Sequence, residues 1–254
     1  MIFSVIASGS KGNITYIASC STKLLIDAGI SASLIEKNLL DLNVNPKEID
    51  GILLTHTHVD HINGLKVFIK KYNTKVYLSE KTYNEISNQI NLINYEIIDK
   101  FIQINDIDID IIKTSHDTDD SNGYILSCNN KSIAYITDTG YINRKNHSKL
   151  IDKTVYIMES NHDIEMLMNG KYPYHLKQRV CGDRGHLSNK SSSEYLSNFI
   201  GNNTKKIVLI HLSEENNTPD IDLKTLKNTF NEKNIDFDDI IISGQKERTE
   251  LVNV

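Results

Sequence analysis

Apolar and polar residues follow two patterns along this chain, strict alternation and short apolar runs, and both are typical of β-strands. Apolar residues at helical spacing separate these stretches. The patterns predict strands over residues 2–8, 14–18, 23–27, 51–55, 101–112, 132–137, 154–158 and 206–210. They predict helices over 34–42, 64–72, 191–200 and 221–233. Strands and helices therefore mix throughout, which favours an α/β fold, in particular a layered αββα sandwich.

The domain organisation is predicted from the length of the chain and from the absence of sequence signals that mark a domain boundary. The chain has 254 residues. It shows no internal repeat, no low-complexity tract and no linker of the kind that separates domains. We therefore expect a single domain over residues 1–254.

Several predicted strands end at a residue that can bind a metal ion. These strand-end residues are Asp27, His56, Asp138, Glu159 and His211. Ligand sites in α/β folds cluster beyond the carboxyl ends of strands, so these side chains are expected along one rim. We assign Asp27 to structure, as a brace for the neighbouring histidine loop, with metal binding as the lesser alternative.

The motif His-Thr-His-Val-Asp-His concentrates donors within six residues. His56 and His58 lie two apart and point the same way in an extended segment. Asp60 and His61 follow at the start of a helix. One ion can take His56 and His58, and a second can take Asp60 and His61. The alternative is a chance cluster on a solvated loop, which is improbable for a chain with 9 histidines in 254 residues.

Each ion needs further ligands, because such ions take roughly four to six donors. His116, Asp138 and His211 can supply them. A carboxylate can bridge two cations, which suits Asp138. The sequence therefore predicts two divalent metal ions, zinc or manganese, since histidine and aspartate sites accept several first-row metals.

Composition narrows the setting of this chemistry. The formal net charge is −5, so contact with nucleic acid must rest on a local patch and on bound metal. The three cysteines, Cys20, Cys128 and Cys181, form no CxxC pair, which favours a reducing compartment. The sequence shows no secretory leader and no membrane span. We expect a cytoplasmic protein.

Motifs along nearly the whole chain resemble the metallo-β-lactamase fold superfamily. The HxHxDH motif, a later histidine, a strand-end aspartate and a final histidine form its signature. The resemblance is strongest to the YycJ/WalJ branch and is carried by Ala7–Asn13, Thr137–Tyr141, Glu159–Asp163 and Gly182–Asn189. The stretch 117–123 after His116 departs from that branch.

The resemblance implies an αββα sandwich and a 5′-to-3′ exonuclease that acts on double-stranded DNA through a metal-bound hydroxide. Carried over by position, one metal would be bound by His56, His58 and His116. The other would be bound by Asp60, His61 and His211, with Asp138 as the bridge. Asp60 could also orient the attacking oxygen, which gives it a catalytic role.

The phosphate side of the site is expected near residues 171–190, which hold five basic residues against one acid. His186 resembles the histidine that nucleases such as tRNase Z keep beside their metal ligands, and would contact phosphate and protonate the leaving oxygen. Glu159 either sets the tautomer of His186 or serves only in packing or a salt bridge. Arg179 and Arg184 are expected to contact phosphate, with a solvated charged face as the alternative.

Two other functions stay open at this stage. One is a small-molecule hydrolase of the same fold, acting on a thioester, a lactam or a cyclic phosphodiester. The other is an RNase Z-like ribonuclease. The sequence alone does not decide between DNA and RNA, nor does it set sequence preference or oligomeric state.

Overall fold

A computed structural model describes residues 1–244 and 247–254. Within them the strands form two seven-stranded sheets. The first sheet has the order β14-β1-β2-β3-β4-β5-β6 and the second β13-β12-β11-β10-β9-β8-β7. The first comprises β1 Ile2–Ala7, β2 Ile14–Ala18, β3 Lys23–Ile26, β4 Gly51–Leu53, β5 Lys75–Leu78, β6 Tyr95–Ile97 and β14 Val252–Asn253. The second comprises β7 Phe101–Ile104, β8 Ile107–Lys113, β9 Asn122–Cys128, β10 Lys131–Ile136, β11 Val155–Glu159, β12 Lys206–Ile210 and β13 Ile240–Ile242.

Helices accompany both sheets. They are α1 Ala32–Asp41, α2 Val59–Ile62, α3 Leu65–Tyr72, α4 Glu80–Ile86, α5 His147–Leu150, α6 Ile164–Asn169, α7 Tyr174–Cys181, α8 Asn189–Phe199 and α9 Pro219–Glu232. None of the helices in the described ranges is long and apolar enough to cross a membrane.

Three apolar clusters give the molecule its layers. In strand β11, Tyr156 and Met158 pack in the cluster that includes Leu196 of α8 and Phe230 of α9, whereas Ile157 packs in the cluster between the sheets. Strand β4 divides its side chains in the same way. Ile52 joins the cluster that includes Ile35 of α1 and Phe68 of α3, and Leu53 joins the inter-sheet cluster. Because successive side chains of a strand face opposite ways, each sheet is buried on both faces. The αββα sandwich is confirmed.

Two blocks of parallel strands position the site. Strands β3 to β6 run parallel in the first sheet, and β10 to β13 run parallel in the second. Asp27, Asp138 and His211 follow closely after strands of these blocks, with φ of 61°, 48° and 59°. Left-handed backbone costs about 1–2 kcal/mol in residues other than glycine, and its clustering is typical of functional sites. The turn just after each of these strands directs a donor side chain inward.

The sequence patterns located most of the sandwich but left out several elements. The predicted strand 206–210 agrees with β12, and the predicted helix 64–72 agrees with α3 to within one residue. Strand β9 was not predicted, although six of its seven residues are buried. Its sequence Asn-Gly-Tyr-Ile-Leu-Ser-Cys begins with residues typical of turns. Because the strand is covered on both faces, it also lacks the apolar–polar alternation that would indicate a strand. Helix α7 was also missed, because it buries none of its residues and so lacks an apolar stripe.

Candidate metal centre

The loop after β4 brings three histidines of the HxHxDH motif under the rim of both sheets. His58 is the N-cap residue of the short helix α2, and His61 lies within that helix. His56 and His61 are both fully buried. Among the described residues, potential metal-donor atoms fall into three groups in which all members lie within 4.8 Å of one another. These groups are His56 with His58 and His116, His56 with His61 and Asp138, and Asp138 with Glu159, His186 and His211.

The spacing of the donors in the first group fits a metal ion. His58 Nδ1 lies 3.3 Å from His116 Nε2. Two nitrogens bound tetrahedrally at about 2.0–2.1 Å would be separated by about 3.3 Å. His56 Nε2 is buried and has no hydrogen-bond partner among the described residues. A buried imidazole nitrogen without a partner is costly, so this atom fits a ligand to a cation.

Asp138 divides its two carboxylate oxygens between the groups. Its Oδ2 lies 3.1 Å from His61 Nε2 and 3.4 Å from His211 Nδ1. Its Oδ1 lies 3.7 Å from His116 Nε2. Asp60 Oδ2 lies 3.5 Å from His61 Nε2 on the second side. The structure therefore brings the seven predicted ligands together, and Asp138 lies near histidines of both predicted sets; metal binding by these residues stays a prediction.

Hydrogen bonds from the surrounding shell select one nitrogen of each buried histidine. His61 Nδ1 lies 2.7 Å from Asp27 Oδ2, so Nδ1 carries the proton and Nε2 faces the site. Thr55 donates its hydroxyl to the same Asp27 oxygen and lies 3.0 Å from His56 Nδ1. Such outer partners orient metal-binding imidazoles and set their tautomers. Asp27 braces the loop in this way.

The histidines contributed by the second sheet are held by the same kind of contact. His116 Nδ1 lies 3.1 Å from the carbonyl oxygen of Gly185, which can only accept. His116 therefore presents an unprotonated Nε2 to the centre. His211 Nδ1 lies 3.2 Å from the hydroxyl of Thr137, which itself donates to Asp138.

Electrostatics favours neutral imidazoles at three of these positions. Burial lowers the pKa of His56 well below its usual range, and it also lowers the pKa values of His58 and His211. A neutral imidazole has the free electron pair that a metal needs. Burial would also lower the pKa of His61, but the carboxylates of Asp27 and Asp138 outweigh it and raise that pKa well above the usual value.

Asn13 joins the centre without having been predicted. Its amide Nδ2 lies 3.0 Å from His61 Nε2 and 3.1 Å from Asp60 Oδ2. Its backbone N–H donates to the carbonyl of Asp60 at 2.7 Å. The glycine turn 9–13 therefore holds the second half of the HxHxDH motif. The position of Asn13 in a conspicuous turn was a signal, but its partners lie 47 and 48 residues away.

His186 lies beside Asp138 and is held by Glu159. The Nδ1 of His186 lies 2.6 Å from Glu159 Oε1 and 3.4 Å from Asp138 Oδ1. The other Glu159 oxygen accepts the backbone N–H groups of Thr139 and Leu187. Burial would lower the pKa of His186, but the Glu159 carboxylate outweighs it and raises that pKa to about 9.

Arg179 and Arg184, the two arginines expected to bind phosphate, line a cavity above the donor groups. Both side chains bind other groups of the protein. Arg179 pairs with Asp117 at 2.5 Å. Arg184 donates to the backbone carbonyls of His116 and Thr118, at 2.9 Å each. Their contact with phosphate stays a prediction.

The cavity above the donors has a volume of about 250 Å³ and is bordered by His58, Asp60, His116, Asp138 and His186. It adjoins a second cavity of about 230 Å³. The two share the lining residues Ser10, Tyr172, Val180, His186 and His211. The cleft therefore extends to both sides of His186.

Comparison with known proteins agrees with this geometry. The family model of the beta-lactamase superfamily domain matches residues 22–212. The exodeoxyribonuclease WalJ of Streptococcus pneumoniae is 39% identical over 233 residues, covering 89% of this chain and 87% of the relative. The chain belongs to the YycJ/WalJ family of the metallo-β-lactamase superfamily.

Further members and structures extend the comparison. The exodeoxyribonuclease YycJ of Bacillus anthracis is 37% identical over 238 residues, covering 91% of this chain and 89% of its own. The crystal structure of the metallo-β-lactamase fold protein YhfI from Bacillus subtilis superposes with a TM-score of 0.72 over 98% of each chain. Its sequence is 15% identical, so it supports the fold alone. Membership in the family implies divalent metal cofactors, and the donor groups fit them.

Proposed function

We propose that this protein is a metal-dependent exodeoxyribonuclease that degrades double-stranded DNA from 5′ ends. Its relatives WalJ and YycJ carry the name exodeoxyribonuclease and match most of its length. The observation that carries the proposal within the molecule is His186. It is held beside Asp138 by Glu159, on the side of the metal cluster that opens into the cleft.

Glu159 prepares His186 to act as an acid. Because Nδ1 of His186 donates to Glu159, the second proton of the imidazolium lies on Nε2. The Glu159 carboxylate outweighs burial and raises the pKa of His186, which favours the doubly protonated ring. His186 can then protonate the oxygen that leaves phosphorus. Glu159 acts through His186 and is a positioning residue, while Asp60 orients the attacking oxygen from the other side.

The metal ions would be held by the residues described above. His56, His58 and His116 would hold one ion, and Asp60, His61 and His211 would hold the other. Asp138 lies near His61, His116 and His211 and would serve both. When bound, two divalent cations activate water and neutralise charge on the phosphate. Zinc and manganese both suit these donors.

The shape of the cleft favours a polymer over a small molecule. Cleavage near the end of a strand requires room on both sides of the scissile bond, for the released nucleotides on one side and for the remaining strand on the other. Two adjoining cavities of about 250 and 230 Å³ meet at His186 and His211. Arg179 and Arg184 line the first of them, where a phosphate would bring its charge. We assign these arginines as phosphate contacts on that basis.

Two further proposals concern the molecule as a whole. We propose that residues 1–254 act as one domain, since both sheets share a single inter-sheet core. A DNA substrate and three free cysteines support a cytoplasmic location.

The experiment uses linear, nicked and covalently closed DNA, with an RNA of matched sequence. Each is end-labelled where an end exists and incubated with manganese or zinc at several salt concentrations. We expect linear duplex to be shortened from its 5′ ends and closed circles to survive. Binding should weaken steeply with salt, because each neutralised phosphate releases counterions.

Other outcomes would replace the proposal. Equal cutting of closed circles would make the protein an endonuclease, and cutting of RNA alone would make it a ribonuclease of the tRNase Z kind. Turnover of a thioester, lactam or cyclic phosphodiester, with no DNA cleavage under either metal, would make it a small-molecule hydrolase.

A further inference from the structure

We propose that Asp117 is a positioning residue that sets the tautomer of His58, and that Arg179 acts on the metal centre through Asp117. This inference rests on the proposed function only as far as the metal centre, and metal binding can be measured without any substrate. It gives a function to Asp117, which lies in the stretch 117–123 where the sequence differs from the pattern expected for the YycJ/WalJ branch.

The first observation is a carboxylate oxygen without a hydrogen bond. Asp117 Oδ1 is buried and has no hydrogen-bond partner among the described residues. It lies 3.4 Å from His58 Nε2 and 3.4 Å from His116 Nε2. A buried anionic oxygen without a donor is costly, and one of these two imidazoles is the natural donor.

Tautomers decide which imidazole can donate. His116 has its proton on Nδ1, because that nitrogen faces the carbonyl of Gly185 at 3.1 Å. In this tautomer Nε2 of His116 carries an electron pair and cannot donate to Asp117. His58 is the remaining donor. A proton on its Nε2 would satisfy Asp117 and leave Nδ1 free toward His116, 3.3 Å away.

A closer contact of the same kind exists on the buried side of the cluster, at 2.7 Å against 3.4 Å for Asp117 and His58. There Asp27 takes the outer proton of His61 and turns the opposite nitrogen inward. Asp117 would do the same for His58 from the other side. In both pairs the carboxylate contacts the nitrogen that does not face the metal donors, as outer partners of metal-binding histidines do.

The second observation is what holds Asp117 in place. Arg179 directs both Nε and Nη2 to Asp117 Oδ2, at 2.6 and 2.5 Å. Oδ2 is thereby occupied, and Oδ1 is turned to the histidines. Arg179 lies on helix α7, which buries none of its own residues. Its position depends on contacts such as this one.

The helix belongs to a segment, residues 171–186, that we call the strap. The strap also reaches the metal centre through Gly185, which accepts from His116, and through Arg184, which donates to the carbonyls of His116 and Thr118. It ends at His186. The strap thus carries the proposed acid and supports two histidines of the first donor group. Displacing it should weaken metal binding as well as catalysis.

The test is metal affinity of the full chain, stripped with a chelator and titrated with zinc against a competing indicator. We expect Asp117→Ala to weaken one of two binding events by about 10–100-fold, the usual range for loss of an outer partner. The other event should be unchanged. Asp117→Asn retains an acceptor and should fall between, which covers the case in which Asp117→Ala folds poorly.

Arg179→Gln should weaken the same event about two- to fivefold, because the exposed pair contributes little by itself. In the Asp117→Ala background it should have no further effect. The matched control is Lys177→Gln on the same helix, whose ammonium contacts the carbonyl of Met168 and not the loop. It should leave both affinities unchanged.

A direct readout is the ring nitrogen spectrum of His58 in the zinc-loaded protein. Nitrogen-15 NMR should place its proton on Nε2 in the natural chain, with that signal broadened or shifted in Asp117→Ala. The proposal is overturned if Asp117→Ala binds both ions normally or if Lys177→Gln matches Arg179→Gln. It is also overturned if Arg179→Gln changes the salt dependence of DNA binding but leaves metal affinity unchanged, because Arg179 would then contact phosphate without acting on the metal centre.

Discussion

The two flanks of the metal cluster are supported by aspartates in opposite environments. On the inner flank Asp27 is fully buried and accepts from the backbone and hydroxyl of Thr55 and from His61. On the strap flank the side chain of Asp117 is 24% exposed, and its arginine partner is 64% exposed. Asp27 contacts His61, whereas Asp117 lies near both His58 and His116.

The difference shows how one centre can be rigid on one side and adjustable on the other. Breaking a buried ionic contact leaves a charge without compensation, which costs several kcal/mol. An exposed pair contributes about 0–1 kcal/mol and is screened by salt. We therefore expect the inner flank to be the more rigid side of the site and the strap flank to be the side that adjusts when a ligand enters the cleft.

The largest effect on activity is expected at His186, the proposed acid at the end of the strap. His186→Ala should retain both metals and lose about 10²–10⁴-fold in turnover, the range for a positioned acid or base. Metal content and DNA cleavage are measured on the same preparation. His175→Ala, an exposed histidine on the same segment, is the control and should behave like the natural chain. Loss of metal from the His186 variant would make it a ligand and contradict its role.

On the inner flank, Asp27→Ala should lower the free energy of unfolding by about 3–5 kcal/mol and reduce metal content. The reason is that His61 and Thr55 both lose their buried acceptor. Denaturant unfolding with parallel metal analysis measures both changes. Asp117→Ala is the comparison and should change unfolding by about 1 kcal/mol or less. Equal losses in the two variants would remove the distinction between the flanks.

Asp222 provides a second comparison with Asp27, because it is a buried aspartate with fewer hydrogen bonds. Asp222 on α9 is equally buried, but it receives one hydrogen bond, from Ser160, and its Oδ2 has no partner among the described residues. Burial raises its pKa to about 7 from 3.8. The folded protein holds this proton longer than the unfolded chain does, so stability should fall as the pH rises from about 4 to 7.

The measurement is denaturant unfolding of Asp222→Asn and the natural chain across that pH range. The variant cannot titrate, so its stability relative to the natural chain should increase with pH, by on the order of 3 kcal/mol at most. The pH slope, and not the absolute stability, is the test, since the new amide is also buried. Parallel curves for the two proteins would show that Asp222 is ionised in the folded state.

The smallest effect is expected from salt. Raising ionic strength from about 0.05 to 0.5 M should weaken the Arg179–Asp117 pair and lower the affinity of one metal ion about twofold. The buried contact between Asp27 and His61 should not respond. Titration at both salt concentrations, with Arg179→Gln as the insensitive control, checks this. An equal response from the variant would assign the salt effect to another part of the centre.

Part of the site could be predicted because its donors are local or mark the ends of strands. His56, His58, Asp60 and His61 lie within six residues. Asp138 and His211 follow apolar runs that can only be buried strands, and parallel strands bring their carboxyl ends to one edge. The gathering of these donors within a few ångströms is what the structure adds.

The supporting contacts could not be predicted in this way. Arg179 is 62 residues from Asp117, and Asn13 is 48 residues from His61. Neither pair belongs to a periodic pattern, so nothing in the spacing along the chain indicates that the two partners meet.

The sequence by itself determined the layered sandwich, the rim of strand-end donors and the chemistry that histidine and aspartate bring to it. These follow from apolar periodicity and from side-chain type, which are local properties of the chain. Only the tertiary structure decided which nitrogen of each histidine faces inward, and that both arginines of the strap bind the protein itself. These depend on which acceptors packing brings within about 3 Å, a distance that no spacing along the chain encodes.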